Sequence, residues 1–150
     1  MRAFKFRLQA VSKLRTQVRD KAAEALGAVL ESIRIVREQI SHLDREIQEA
    51  KQLRHAASSG AIRVDRLITV QRHQFMLESQ RDQIQAHLEL LQQEEERRRY
   101  TLLEAEKELR VLEKLEEKQY KQWEMDQLAA DQKQIDEWAA LRGKQNQDQR

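Results

Sequence analysis

The chain has 150 residues, 36% of them charged and 5% aromatic, with no proline, no cysteine and three glycines. This composition excludes a disulfide framework, a thiolate nucleophile and a Cys-based zinc site, and it belongs to long helices and coiled coils rather than to a domain with a round core. The formal net charge of +2 says little about partners until its distribution along the chain is followed.

Disorder is the competing reading of so polar a chain, and the periodic return of Leu, Ile and Val argues against it. The opening MRAFKFRLQAVSKLR is basic and faintly amphipathic. It lacks the serine richness of a transit peptide and runs straight into the helical pattern, so it reads as mature protein. A first helix is expected over about residues 5 to 56. Its apolar positions are Leu8, Val11, Val18, Ala22, Leu26, Val29, Ile33, Val36, Ile40, Leu43, Ile47 and Ala50, with Leu53 beyond. From Leu26 to Ala50 the steps alternate three and four, which is a heptad seam. Two steps of four between Val18 and Leu26 read as a stutter, and the three-residue step to Leu53 as a slip of register.

The stretch AASSGAIRVD, residues 56 to 65, holds the concentrated helix-breaking signal of the chain interior. Gly60 suits the left-handed position after a helix end, and Asp65 or Ser59 can cap the next helix. One reversal makes one hairpin. A second helix is expected over about residues 65 to 142, with Gly143 as its stop and 143 to 150 as a polar tail. Its seam reads Leu67, Val70, Leu77, Ile84, Leu88, Leu91, Leu102, Ala105, Leu109 and Leu112. Folding about Gly60 to Ile62 sets QQEEERRR, residues 92 to 99, opposite the small residues from Ala22 to Val29. That layer is expected to be the loosest, whether Arg and Glu stems cover the small residues or the charges are simply solvated.

Charge supports an antiparallel arrangement. Residues 1 to 24 hold seven basic and two acidic side chains, and residues 104 to 137 hold eleven acidic and six basic. Individual exposed pairs contribute little, so this bears on orientation and not on stability. The arms are unequal: roughly 25 residues of the second helix overhang the first, about 37 Å at 1.5 Å per residue. The overhang is expected to begin near Lys118 and to contain Trp123, Met125, Leu128, Ile135, Trp138 and Leu141. An apolar stripe on an isolated helix of that length needs a partner. The fold class is therefore all-α, a single-domain long two-helix antiparallel coiled-coil hairpin with helix 2 overhanging helix 1.

Signals for chemistry are missing. His42 and Glu46 stand at i and i+4 without a third ligand, no HExxH pattern occurs, and the three glycines are isolated, so neither a metal nor a phosphate-binding cofactor is expected. Carboxylate pairs such as Glu116 and Glu117 have no pocket to perturb them, which argues against an enzyme. The first 19 residues carry six basic and no acidic side chains, with Phe4 and Phe6 interleaved with Lys5 and Arg7. Nucleic-acid or membrane-surface binding by this segment is a minor alternative to neutralisation of the acidic half of helix 2. No run approaches 18 apolar residues, and the expected compartment is the cytoplasm.

Three landmarks together resemble the bacterial flagellar export protein FliJ family. These are the opening FKFRLQAVSKLRTQVRDKAAEALG, the SSG turn near residue 60 and the closing DQKQIDEWA. The resemblance implies a small stalk-like coiled coil of the type III flagellar export apparatus, without catalytic activity, cofactor or metal. It would insert its open end into the ring of the hexameric export ATPase, contact the cytoplasmic region of the membrane export gate near its turn, and handle export chaperones. It would work at the cytoplasmic side of the inner membrane. Carried onto this chain, the ATPase end would be Phe4, Phe6, Arg7, Lys13, Arg15, Trp123, Ile135, Asp136, Glu137 and Trp138. The gate-facing residues would be His42, Arg45, His73, Leu77 and Ile84, a face poor in aromatics apart from Phe75. A homo-oligomeric coiled-coil spacer, with the overhang buried in a dimer, stands as the alternative from another class.

Overall fold

Without proline the chain holds no residue that must break a helical hydrogen-bond ladder, and two helices take up most of it. The structure is a computed structural model and describes residues 3–61 and 63–147. Helix α1 is Gln9–Ala57 and helix α2 is Val64–Gln147. The fold class expected from the sequence, two long helices packed antiparallel, is the one observed. The described chain divides into two compact units, Asp20–Leu103 and a second one built from residues up to Arg19 with residues from Glu104 on.

In the unit Asp20–Leu103 the helix direction can be read from the contacts. Leu88 packs with Ile33, Val36 and Ile40, while Leu77, earlier on α2, packs with Leu43, Ile47 and Ala50, later on α1. An ion pair between Arg81 and Asp44 has the same sense, and its hydrogen bond holds the Arg81 guanidinium above its ordinary range. On the outer face of α1, Arg34 bonds both Glu31 and Glu38, and its hydrogen bond keeps the Glu31 carboxyl below the usual value.

The inward positions form a stricter repeat than the apolar residues suggest. On α1 and just ahead of it they run Leu8, Ser12, Arg15, Arg19, Ala22, Leu26 and on to Ala50 and Ala57, each buried or half-buried except Arg54. Steps of four and three alternate throughout. The expected stutter is absent, because the seam position is Arg19 and not Val18, which is 41% exposed. The register slip at Leu53 is absent too: Leu53 points outward and Ala57 continues the repeat. On α2 the same alternation passes through Gln74, Arg81 and Glu95 as well as the leucines. Between Leu88 and Ala105 no described residue of α2 is buried. There Glu94 binds Arg97 and Arg98, and Glu95 binds Arg99, on the helix surface. This is the thin layer expected of residues 92 to 99.

The turn is built as its residues dictate. Ser58 and Ser59 each donate a side-chain hydroxyl to the His55 carbonyl, at 2.8 and 3.0 Å, closing the end of α1. Gly60 comes next with φ of 88°, a conformation costly for any side chain. Ile62 lies outside the described residues. The cap of α2 falls on neither Asp65 nor Ser59. The Leu67 amide donates to the Arg63 carbonyl at 3.2 Å, so Arg63 takes the cap position, and Asp65 sits in the first turn where its charge favours the helix dipole. Nor does Gly143 stop α2, which continues to Gln147. A glycine ends a helix by adopting positive φ, and among the described residues only Gly60 does so.

Gln74 is the one buried polar side chain of the described core. Its amide donates to Glu78 at 2.9 Å while its Oε1 has no partner. Gln74→Leu should raise the unfolding free energy by about 1 kcal/mol, read as a higher urea midpoint, since it removes an unsatisfied acceptor from the seam. Gly60→Ala should cost about 1 kcal/mol, whereas Gly143→Ala should add helicity in circular dichroism without a comparable loss.

Candidate partner-binding surface

The second unit begins with a segment that is not helical. Residues 3–8 precede α1, and the Gln9 amide closes on the Phe6 carbonyl at 3.2 Å. Phe6 is buried at 6% exposure. Phe4 meets Tyr120 edge-on at 5.3 Å and Trp123 at 5.9 Å, and those two rings lie 5.7 Å apart. Pairs at such separations gain from edge-to-face contact beyond simple burial. Arg15 forms an ion pair with Glu108, so α1 and α2 are antiparallel in this unit also.

The aromatic cluster moves the start of the overhang. The non-helical residues 3–8, with a turn at Arg7 and Leu8, set Phe4 against α2 beyond the expected start of the overhang at Lys118. Phe4 thereby touches both rings, leaving Trp123 half-buried and Tyr120 45% exposed, and beyond Trp123 the helix is open from Glu124 rather than from Lys118. From there to Lys144 every described side chain except Gln127 is exposed.

Of the residues expected at the open end, the structure brings Phe4 and Trp123 together, buries Phe6 and ties Arg15 to Glu108. Arg7 and Lys13 are exposed. Ile135 and Trp138 stand open at 61% and 68% exposure, with Leu128 at 66%. Asp136 accepts a bond from Gln132 at 3.1 Å, and Glu137 is exposed.

The uncovered apolar stripe does not continue the internal seam. At about 100° per residue, Leu128, Ile135 and Trp138 centre roughly a quarter turn around α2 from Ala105, Leu109, Leu112 and Trp123. Sequence reading located the residues but not this rotation, which emerges only when the seam is followed through its polar positions.

In the unit Asp20–Leu103, His42 and Ile84 border an open groove of about 610 Å³ together with Ile35, Gln39, Gln80 and Gln83. Arg45 lies beside His42, Glu46 and Glu49 in a shallower hollow. His42 Nδ1 is 3.5 Å from Glu46, and no group of three metal-ligating side chains occurs among the described residues. His73 is exposed. Leu77 is only 4% exposed and packs with Leu43, Ile47 and Ala50, which withdraws it from any surface contact. Ile35 and Met76 are exposed on this unit and were not singled out by sequence. The signal for Ile35 is an isoleucine one position before a seam valine.

Two long helices packed against each other, without strands among the described residues, define a coiled-coil hairpin protein. The family model described as flagellar FliJ protein matches residues 4–148, nearly the whole chain. The chain therefore belongs to the FliJ family, which makes it a component of flagellar protein export. No curated protein and no solved structure matches it. Among the described residues no helix is long and apolar enough to cross a membrane.

The aromatic cluster is open to a direct test. In a Trp138→Phe background, which leaves Trp123 as the single indole, Phe4→Ala should red-shift Trp123 emission and lower stability by about 1 kcal/mol. An unshifted spectrum would mean that Phe4 does not cover Trp123 in solution.

Proposed function

We propose that this chain is a non-catalytic, stalk-like link in flagellar type III export. It docks on the hexameric export ATPase through the open end of α2 and connects that ring to the cytoplasmic region of the export gate, at the cytoplasmic face of the inner membrane. The observation that carries the reading is the exposed stripe of Leu128, Ile135 and Trp138 on a helix with no chain opposite it among the described residues. Tryptophan with flanking aliphatics is the kind of anchor that dominates protein interfaces once buried.

The roles within the open end divide. Phe4, Phe6 and Trp123 hold the N-terminal segment in place, and the contact itself falls to Ile135 and Trp138 with Asp136 and Glu137 beside them. Arg7 and Lys13 provide basic groups for a ring surface. The gate contact is assigned to the groove face of His42 and Ile84, with Arg45 and His73 flanking it and Leu77 supporting it from the core. Export chaperones remain a further partner of this reading, suggested by the family alone.

Trp138→Ala and Ile135→Ala should each weaken binding to the export ATPase about tenfold or more, the loss expected of an interface anchor. Helicity should stay unchanged, because neither side chain packs within the chain. Titration of labelled protein against the purified ATPase, with circular dichroism on each variant, measures both. Unaltered affinity in both variants would remove the assignment.

A further inference from the structure

The face that α2 displays beyond Trp123 reads Glu124, Leu128, Asp131, Ile135, Trp138 and Arg142, with steps of four, three, four, three and four. The spacing is identical from either end. Laid antiparallel on itself with Glu124 beside Arg142, the face pairs Leu128 with Trp138 and Asp131 with Ile135 at a single register. Charge meets opposite charge at each end and Leu128 meets Trp138 just inside, while the centre sets Asp131 of each copy against Ile135 of the other.

The state of the carboxylates supports this pairing. Asp126 and Asp136 lie off the stripe and accept hydrogen bonds from Gln122 at 2.9 Å and Gln132 at 3.1 Å. Glu124 and Asp131 on the stripe, and Arg142 at its end, make no hydrogen bond or ion pair among the described residues. The charged groups on the open face are thus uncommitted among the described residues, and the two aspartates bonded beside it are taken up by glutamines of their own helix.

We propose that a second copy of this chain covers the stripe, forming an isologous antiparallel helix pair over residues 124–142. The symmetry makes both ends equivalent, each closed by Glu124 of one copy and Arg142 of the other. The small size of the contact keeps it weak. Nineteen residues span about five turns and bury less than the roughly 1,200 Å² at which stable complexes begin. Asp131, set between the two apolar pairs, weakens it further. Mutual exclusion between self-pairing and docking on the export ATPase rests on the proposed function; the dimer itself does not.

Sedimentation of the full chain from about 10 μM to about 1 mM, a range suited to a weak contact, tests the proposal. The expected result is a reversible monomer–dimer equilibrium. Glu124→Arg alone and Arg142→Glu alone should each weaken association about tenfold, since each replaces two attractions by two repulsions. The double variant should recover the wild-type equilibrium, because the exchanged charges again face each other, and circular dichroism should show all three variants helical. A wild-type chain that stays monomeric throughout would overturn the proposal and leave the stripe to a different partner. A double variant that stays as weak as the singles would overturn it equally, by showing that any dimer uses another register.

Discussion

Two helices can lie side by side for many turns only if each returns the same face to the other every seven residues. That repeat governs the positions on both helices here, from Leu8 to Ala57 along α1 and from Leu67 to Trp123 on α2. It holds where the residue is apolar and also where it is not. Ser12, Arg15 and Arg19 occupy inward positions on α1, and Gln74, Arg81 and Glu95 on α2, all of them buried or half-buried. Long side chains make this tolerable, because their stems cover apolar neighbours while their heads reach water or a charge on the other helix. Arg81 with Asp44 and Arg15 with Glu108 are such cases. The polar positions also discriminate between registers, since a shift by one step would set arginine where leucine now packs.

The same repeat explains how the fold ends. α1 cannot follow α2 past its own first residue, so the cover of α2 there depends on residues that are not helical. Phe4 supplies that cover by placing a ring against Tyr120 and Trp123, and Phe6 is buried close behind it. The basic residues that alternate with these two phenylalanines are left facing outward. An alternation of aromatic and basic residues, which in isolation suggests stacking on nucleic acid, is accounted for as a non-helical clasp that turns Phe4 and Phe6 inward and leaves Lys5 and Arg7 exposed.

How much of this was legible in the sequence depended on whether apolarity and position agreed. From Leu26 to Ala50 they agree at each step, and the seam read from sequence is the seam observed. At Val11 and Val18 they part: valines beside the seam outshine the serine and arginine that occupy it, which creates the illusion of a stutter. Glycine shows the same limit. Gly60 and Gly143 are the same residue after a helical run, but only the first comes after two serines that can close the preceding carbonyls, and only the first takes positive φ. The overhang was legible as a mismatch of arm lengths. Its starting point was not, because pattern alone does not say that residues 3–8 leave the helix and lay Phe4 against Tyr120 and Trp123.

The rotation of the open stripe adds a constraint that arm lengths alone do not supply. If Leu128, Ile135 and Trp138 continued the internal seam, a longer α1 would have covered them, and their exposure would mean no more than a missing stretch of the same helix. They lie about a quarter turn away instead, on a side of α2 that α1 does not face in this unit. Extending α1 in its existing register would therefore leave Ile135 and Trp138 open. Whatever buries them must approach α2 from another direction, which separates the surface that builds the fold from the surface left free for assembly.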